Sequence, residues 1–336
     1  MANLPPIEVP QGAIRLNTDS QKLEFYAQDR WFEMATESIS LDGGNGRGVA
    51  AGGNNPGQTD TIQYITIPTQ GDAIDFGNLT APTQGSLAAT GSSTRGLIGG
   101  GQRFPAQVNV IDLITFSSTG NAIDFADLTV ARGQTSGSGS QTRGIFGGGQ
   151  PGPSVVDTID YVTIASTGTN AVDFGNLTST RRMLTAASSP TRSLFFAGLN
   201  PSSTNVIDFI TISTTGNAQD FGDASVAMYS SGAVSSKTRA VMMGGYDGNP
   251  NYVNTMEYVT IATRGNTTDF GDLTEPTYLF EPVSNSIRGV RMGGQSPLDT
   301  PIDYINIATQ GNSVFFGNLT AKHVEGAGCS NAHGGL

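Results

Sequence analysis

Ile159-Asp160-Tyr161-Val162-Thr163-Ile164 decides the fold, because the chain repeats the pattern six times. It recurs from Ile62 (IQYITI), Ile111 (IDLITF), Ile207 (IDFITI), Met256 (MEYVTI) and Ile302 (IDYINI), in steps of 49, 48, 48, 49 and 46 residues along the chain. Aromatic and β-branched residues in so short a run favour a pleated strand. A fixed period of this length marks a repeat architecture. A residue that recurs in every unit therefore serves the unit first.

Residues 128–177 show the unit most clearly. A small, polar, glycine-rich stretch ends at Gln141, and Thr142-Arg143-Gly144-Ile145-Phe146-Gly147 follows as a short apolar run closed by glycines. After the loop QPGPSVV come DTIDYVTIA, the turn STGTN and AVDFGNL. Each run is strand-length and bounded by Gly, Pro, Asn or Ser, and none has helical periodicity. The chain is expected to be all-β, with four short strands per unit, the first made of small residues because innermost strands crowd an axis. An Asp-Phe pair recurs at 75/76, 124/125, 173/174, 220/221 and 269/270. The Phe is expected to pack between neighbouring units and the Asp to cap a turn. In turns such as Ser118-Thr119-Gly120-Asn121 the glycine is expected at positive φ.

The pattern is circularly offset. The chain enters at Arg47, on a second strand, and ends with an unmatched small-residue stretch, Ala321 to Asn331. The simplest solution places that stretch as the innermost strand of the first unit, so that both ends of the repeat region share one unit and no edge stays open. Residues 41–336 then form one domain of six units.

An Arg, an apolar strand ending in Gly-Gly and a Tyr-bearing strand is the order of a kelch blade. The doublet stands at 52/53, 99/100, 147/148, 244/245 and 293/294, with Ala197-Gly198 in the remaining unit, and Tyr64, Tyr161, Tyr258 and Tyr304 take the Tyr place. Over residues 41–336 the chain resembles the kelch-type propellers, although Phe replaces the Trp of the last strand. The resemblance implies a six-bladed kelch-like β-propeller of four-stranded blades and says little about activity.

Composition narrows the function. Charged residues are 13% of the chain, about half the usual ~25%. Seventeen basic residues against 28 acidic ones give a net charge of −11, which disfavours nucleic acid. A polar, weakly charged surface suits neutral polymers or other proteins. No run of 18 apolar residues marks a membrane helix, and no secretory signal is visible at the start. Lone Cys329 is expected as a small buried packing residue.

Residues 1–40 fall outside the repeat and read as a three-stranded meander, with Ile14, Leu23, Phe25, Tyr26 and Trp31 as a candidate attachment or oligomerisation surface. So small a meander cannot bury a core alone. The string GAIRLNTDSQKLEFYAQDRWFEM resembles β modules of tailed-phage fibre and baseplate proteins, and IDYVTI, TTGN and DFGNLT resemble repeats in virion proteins of phages that infect cyanobacteria. Together these resemblances imply a virion structural protein made in the host cytoplasm, of tail-fibre or baseplate type. They imply contact with other virion proteins through residues 1–40, assembly as a homo-oligomer (a trimer by analogy), and an outward propeller that contacts host surface glycan. The alternatives are a capsid decoration or head-fibre protein and a carbohydrate-active propeller enzyme.

No catalytic, cofactor or metal constellation stands out, and the chain is expected to be no enzyme. His323 and His333 fit no metal spacing. His333 falls where the recurring Arg is expected, which points to a structural hydrogen bond. The acids at Asp112, Asp160, Asp208 and Asp303 are expected to cap turns and pair with the recurring Arg. Arg47, Arg95, Arg143, Arg192, Arg239 and Arg288 are expected to donate to backbone carbonyls or to an Asp of a neighbouring unit. Function is better sought where the units differ, in the loops after Gly-Gly, expected on one face. Phe104, Tyr246 and Tyr252 are aromatic residues in these loops, suited to stacking on sugars or anchoring a partner. Asp247 could contribute to a Ca²⁺ site, but a plain turn is the simpler account of it.

Overall fold

The computed structural model describes residues 9–17, 22–33, 46–248, 252–295 and 300–336. The chain divides into two compact units at 44/45. Among the described residues there is no helix, and the second unit holds six four-stranded antiparallel sheets in a propeller-like set.

The first unit is the meander Ile14–Asn17, Lys22–Ala27, Arg30–Glu33. Gln28 and Asp29 carry the tight turn at φ of 48° and 56°, the left-handed pair that a two-residue hairpin loop requires.

Sheets 3 to 6 are each built from four consecutive strands, and sheet 2 carries the small hairpin Gln102–Arg103, Ala106–Gln107 between its second and third strands. Sheet 3, for example, is Ser136–Gly139, Arg143–Gly147, Thr158–Thr163 and Val172–Asn176. Sheet 1 is shared: Ala327–Ser330 pairs with Arg47–Ala51, which continues to Thr61–Thr66 and Ile74–Asn78. The first strands of sheets 2, 3, 4, 5 and 6 lie each against the next, and the strand Ala327–Ser330 lies against the first strands of sheets 6 and 2. Their small residues are sterically required. A Cβ on Gly137 would stand 2.3 Å from the Ala89 carbonyl oxygen, and one on Gly328 would stand 2.4 Å from that of Pro282.

Six backbone hydrogen bonds run round these inner strands. Ser86 N–H donates to Glu325 O, Glu325 to Leu279 O, Leu279 to Ser230 O, Ser230 to Met183 O, Met183 to Gln134 O, and Gln134 to Gly85 O, at 2.8–3.2 Å. All six donors are non-glycine residues at φ of 49–61°. Each such residue costs of order 1 kcal/mol or more and persists only where its surroundings fix it.

The recurring Arg ties each sheet to the next. Its Nη1 donates to a carbonyl one sheet on: Arg47 to Phe116, Arg95 to Ile164, Arg143 to Ile212, Arg192 to Ile261, Arg239 to Ile307, and Arg288 to Ile67 of sheet 1, at 2.6–3.1 Å. Five of the six guanidiniums also lie over the ring of their own sheet: Tyr64, Tyr161, Phe209, Tyr258 and Tyr304. Sheet 2 has Leu113 there and no stack. Arg143→Ala should therefore lower stability by about 2 kcal/mol, read as a shift of the urea midpoint. An unchanged midpoint would remove this role from the recurring Arg.

The expected pairing of that Arg with Asp does not occur. Asp160 instead pairs with buried Arg132 at 2.8 Å and accepts from the N–H and Oγ1 of Thr129. Asp208 is held likewise by Arg181 and Thr178, and Asp303 by Arg291 and Thr274. The Asp of the Asp-Phe pair lies exposed on the outermost strand; amide or carboxylate oxygens of Asn121, Asn170, Asn217, Asn266, Asn312 and Asp72 cap the neighbouring strand ends instead. The Phe does pack between sheets, as Phe76 does with Ile98 and Ile114. The left-handed glycine pairs of sheets 2 and 3 are Gly100-Gly101 and Gly148-Gly149, one residue later than the doublet read from the sequence; in sheet 4, Ala197 takes the first place at φ 57°.

Cys329 is buried between sheets 1 and 2, and burial pushes its thiol up to about 12. Arg47 fills the Arg place in sheet 1, not His333. The His333 Nε2–H donates to Gly91 O at 2.8 Å while its Nδ1 accepts from Gly335 N–H, and burial lowers its pKa.

Candidate functional site

The loops after the glycine pairs of sheets 1, 2 and 3 touch in turn, and the N–H of Gly152 in sheet 3 donates to Gln107 of sheet 2. Gln58 of sheet 1 donates to Gln102 O and accepts from the N–H of Phe104 in sheet 2. Sheet 5 differs most. Its middle strands, Arg239–Tyr246 and Tyr252–Thr260, run past the glycine pair and end with Tyr246 opposite Tyr252.

The structure brings these two expected residues together and adds two that the sequence reading missed. Tyr229 and Tyr278 come from the links that lead into the inner strands of sheets 5 and 6. Tyr229 exchanges two backbone hydrogen bonds with Tyr246, at 2.9 and 3.1 Å. Tyr252 and Tyr278 stack at 4.6 Å and 8°; Tyr246 lies 5.7 and 6.0 Å from them, and Tyr229 meets Tyr246 edge-on at 5.1 Å. All four are half-buried. Burial, the hydrogen bond with Tyr252 and the nearby charges push the Tyr278 phenol up to about 12, so at neutral pH it is a neutral donor. The signal was in the sequence: Tyr229 and Tyr278 stand one period apart at a place held elsewhere by Gly85, Gly133, Arg182 and Val324.

Such a patch offers aromatic surface together with phenol hydroxyls. It suits a ligand that has both C–H faces and hydrogen-bonding edges. Arg182 acts on Tyr229 and Glu325 on Tyr278 as the nearby charges.

Phe104 does not join the patch. It is 77% exposed on the small hairpin of sheet 2, three sheets round. Asp247 follows Tyr246, is half-buried and is engaged within the protein. Its neighbours 249–251, and residues 296–299 of the sheet 6 loop, lie outside the described residues. Among the described residues no three His, Cys, Asp or Glu side chains are grouped to hold a metal ion.

On the meander, Arg15 lies 4.1 Å over Trp31 and pairs with Glu24 at 2.8 Å, while Tyr26 meets Trp31 edge-on. Ile14 is 64% exposed and Phe25 is stacked on Phe32. The side chain of Leu23 lies outside the described residues. Comparison with known protein families and with curated proteins gave no match to this chain.

Proposed function

We propose that the chain is a structural protein of a tailed-phage particle: a closed six-bladed kelch-like propeller, joined to a β meander that docks on other virion proteins, with the tyrosine face binding glycan of the host surface. The tyrosine patch carries the binding part of this reading. Four tyrosine rings in mutual contact form a surface for sugar rings. Closure is supported by the Arg288 bond to Ile67 and by the pairing of Ala327–Ser330 with Arg47–Ala51. The virion assignment rests on the resemblance of the repeat and the meander to phage proteins.

A glycan array tests the binding. The protein is expected to select a small set of glycans, and Tyr252→Ala with Tyr229→Ala should weaken that binding by about tenfold or more. An array without hits, or hits indifferent to both substitutions, would refute the glycan reading. Electron cryomicroscopy of intact particles tests the assignment by showing whether density for the propeller stands on the tail, on the head or nowhere.

A further inference from the structure

The links that carry two of the tyrosines lead into the inner strands. Tyr229 and Tyr278 immediately precede Ser230 and Leu279, which line an axial cavity of about 100 Å³ with Ser86, Met183 and Glu325. Glu325 is the sole ionisable side chain among its lining residues, and its charge reaches Tyr278. The wall also holds unused hydrogen-bonding capacity. Thr135 and Ser230 are 3% and 8% exposed, and the hydroxyl oxygens of Thr135, Ser230 and Ser231 have no partner in the protein.

The far end of the axis is obstructed. A Cβ on Gly335 would stand 1.8 Å from Gly139 O, one on Gly334 would stand 2.4 Å from Ser236 O, and His333 bonds to Gly91. Residues 333–335 thus lie across inner strands or strand ends of sheets 2 to 5. A polymer cannot thread the axis, and the cavity takes no more than the polar edge of one sugar.

We propose that the tyrosines and the axial mouth form one site that takes a glycan end-on, with a neutral or cationic terminal residue seated at Glu325. This rests on the glycan reading above and narrows it. The tyrosines stack the residues behind the terminus. The terminal hydroxyls or amine meet Glu325 and the serine and threonine hydroxyls, which have donors and acceptors to offer. A uronate, sialate or phosphate at the terminus would face the Glu325 carboxylate and is rejected by like charge in a partly desolvated pocket; Glu281 behind it is paired with His323 at 3.2 Å.

The test is an array whose glycans are grouped by terminal residue, probed with the full chain and with Glu325→Gln and Tyr252→Ala. The full chain should bind neutral- or amine-terminated glycans at least about tenfold better than acid-terminated partners of the same core, equivalent to 1.4 kcal/mol. Glu325→Gln should reduce that ratio severalfold, and Tyr252→Ala should weaken every hit. The titratable groups around Glu325 are Tyr278 and Glu281, and Glu281 is paired with buried His323 at 3.2 Å. Burial first, and then Glu281, raise the pKa of Glu325, so discrimination should also fade on acidification earlier than an ordinary carboxylate would allow. If hits share an internal epitope whatever their terminus, or acid-terminated glycans bind equally, the end-on site falls while the glycan reading stands. An array with no hits removes both.

Discussion

Ending the chain at Thr320 should abolish the cooperative fold of the second unit. The lost residues supply the inner strand Ala327–Ser330 of sheet 1, and with it Ala327 and Cys329 of the cluster that packs sheet 1 on sheet 2. Arg47–Ala51, whose last four residues are buried in the full chain, would become an open edge and uncover Val49 and Ala51. The Ser86 N–H to Glu325 O and Glu325 N–H to Leu279 O bonds go too, which opens the backbone belt that holds six left-handed residues. The expected result is aggregation on size exclusion and no sharp urea transition. Ending the chain at Asn331 should keep the elution position and the sharp urea transition of the full chain, because it removes only residues that lie across the axis. A monomeric, cooperative protein ending at Thr320 would mean that the shared sheet does not close the set.

The second large effect is expected at Arg132. Its side chain is fully buried against Asp160, and its Nη2 also donates to Phe146 O. Arg132→Met leaves a buried carboxylate without its cation, which costs about 3–5 kcal/mol. Adding Asp160→Asn should recover most of the loss. The chain itself motivates this: in sheet 1 the same place is Gln63, whose neutral Oε1 accepts both the N–H and the Oγ1 of Thr320 at 2.8 and 2.6 Å. Chemical denaturation of the two variants checks it, and equal destabilisation by both would show that charge compensation is not what Arg132 provides.

The same pair shows where reading the sequence ran short. Asp160 recurs, and the recurring Arg143 lies near it in the repeat, so their pairing was the natural expectation. Yet Arg143 and Asp160 sit on neighbouring strands at different levels, and Arg143 reaches outward to a carbonyl of sheet 4. Arg132, irregular in the repeat, enters from the link before the inner strand. Which cation meets which acid depends on that approach, and no spacing encodes it. The tyrosine patch divides similarly. Tyr246 and Tyr252 were legible because a hairpin joins them. Tyr229 reaches them by pairing its backbone with Tyr246 of its own sheet, and Tyr278 only because the link into sheet 6 passes beside sheet 5.

Alone, the repeat determined strand content, strand order, the offset of the first unit and the crowding that requires small inner residues. All of these follow from local preference and a fixed period. The tertiary structure decided the partners of the buried charges, the left-handed belt at the axis, the residues lying across its far end, and the gathering of four tyrosines beside its mouth. These depend on side chains brought together from different sheets, and a one-dimensional period specifies the sheets without specifying what faces what between them.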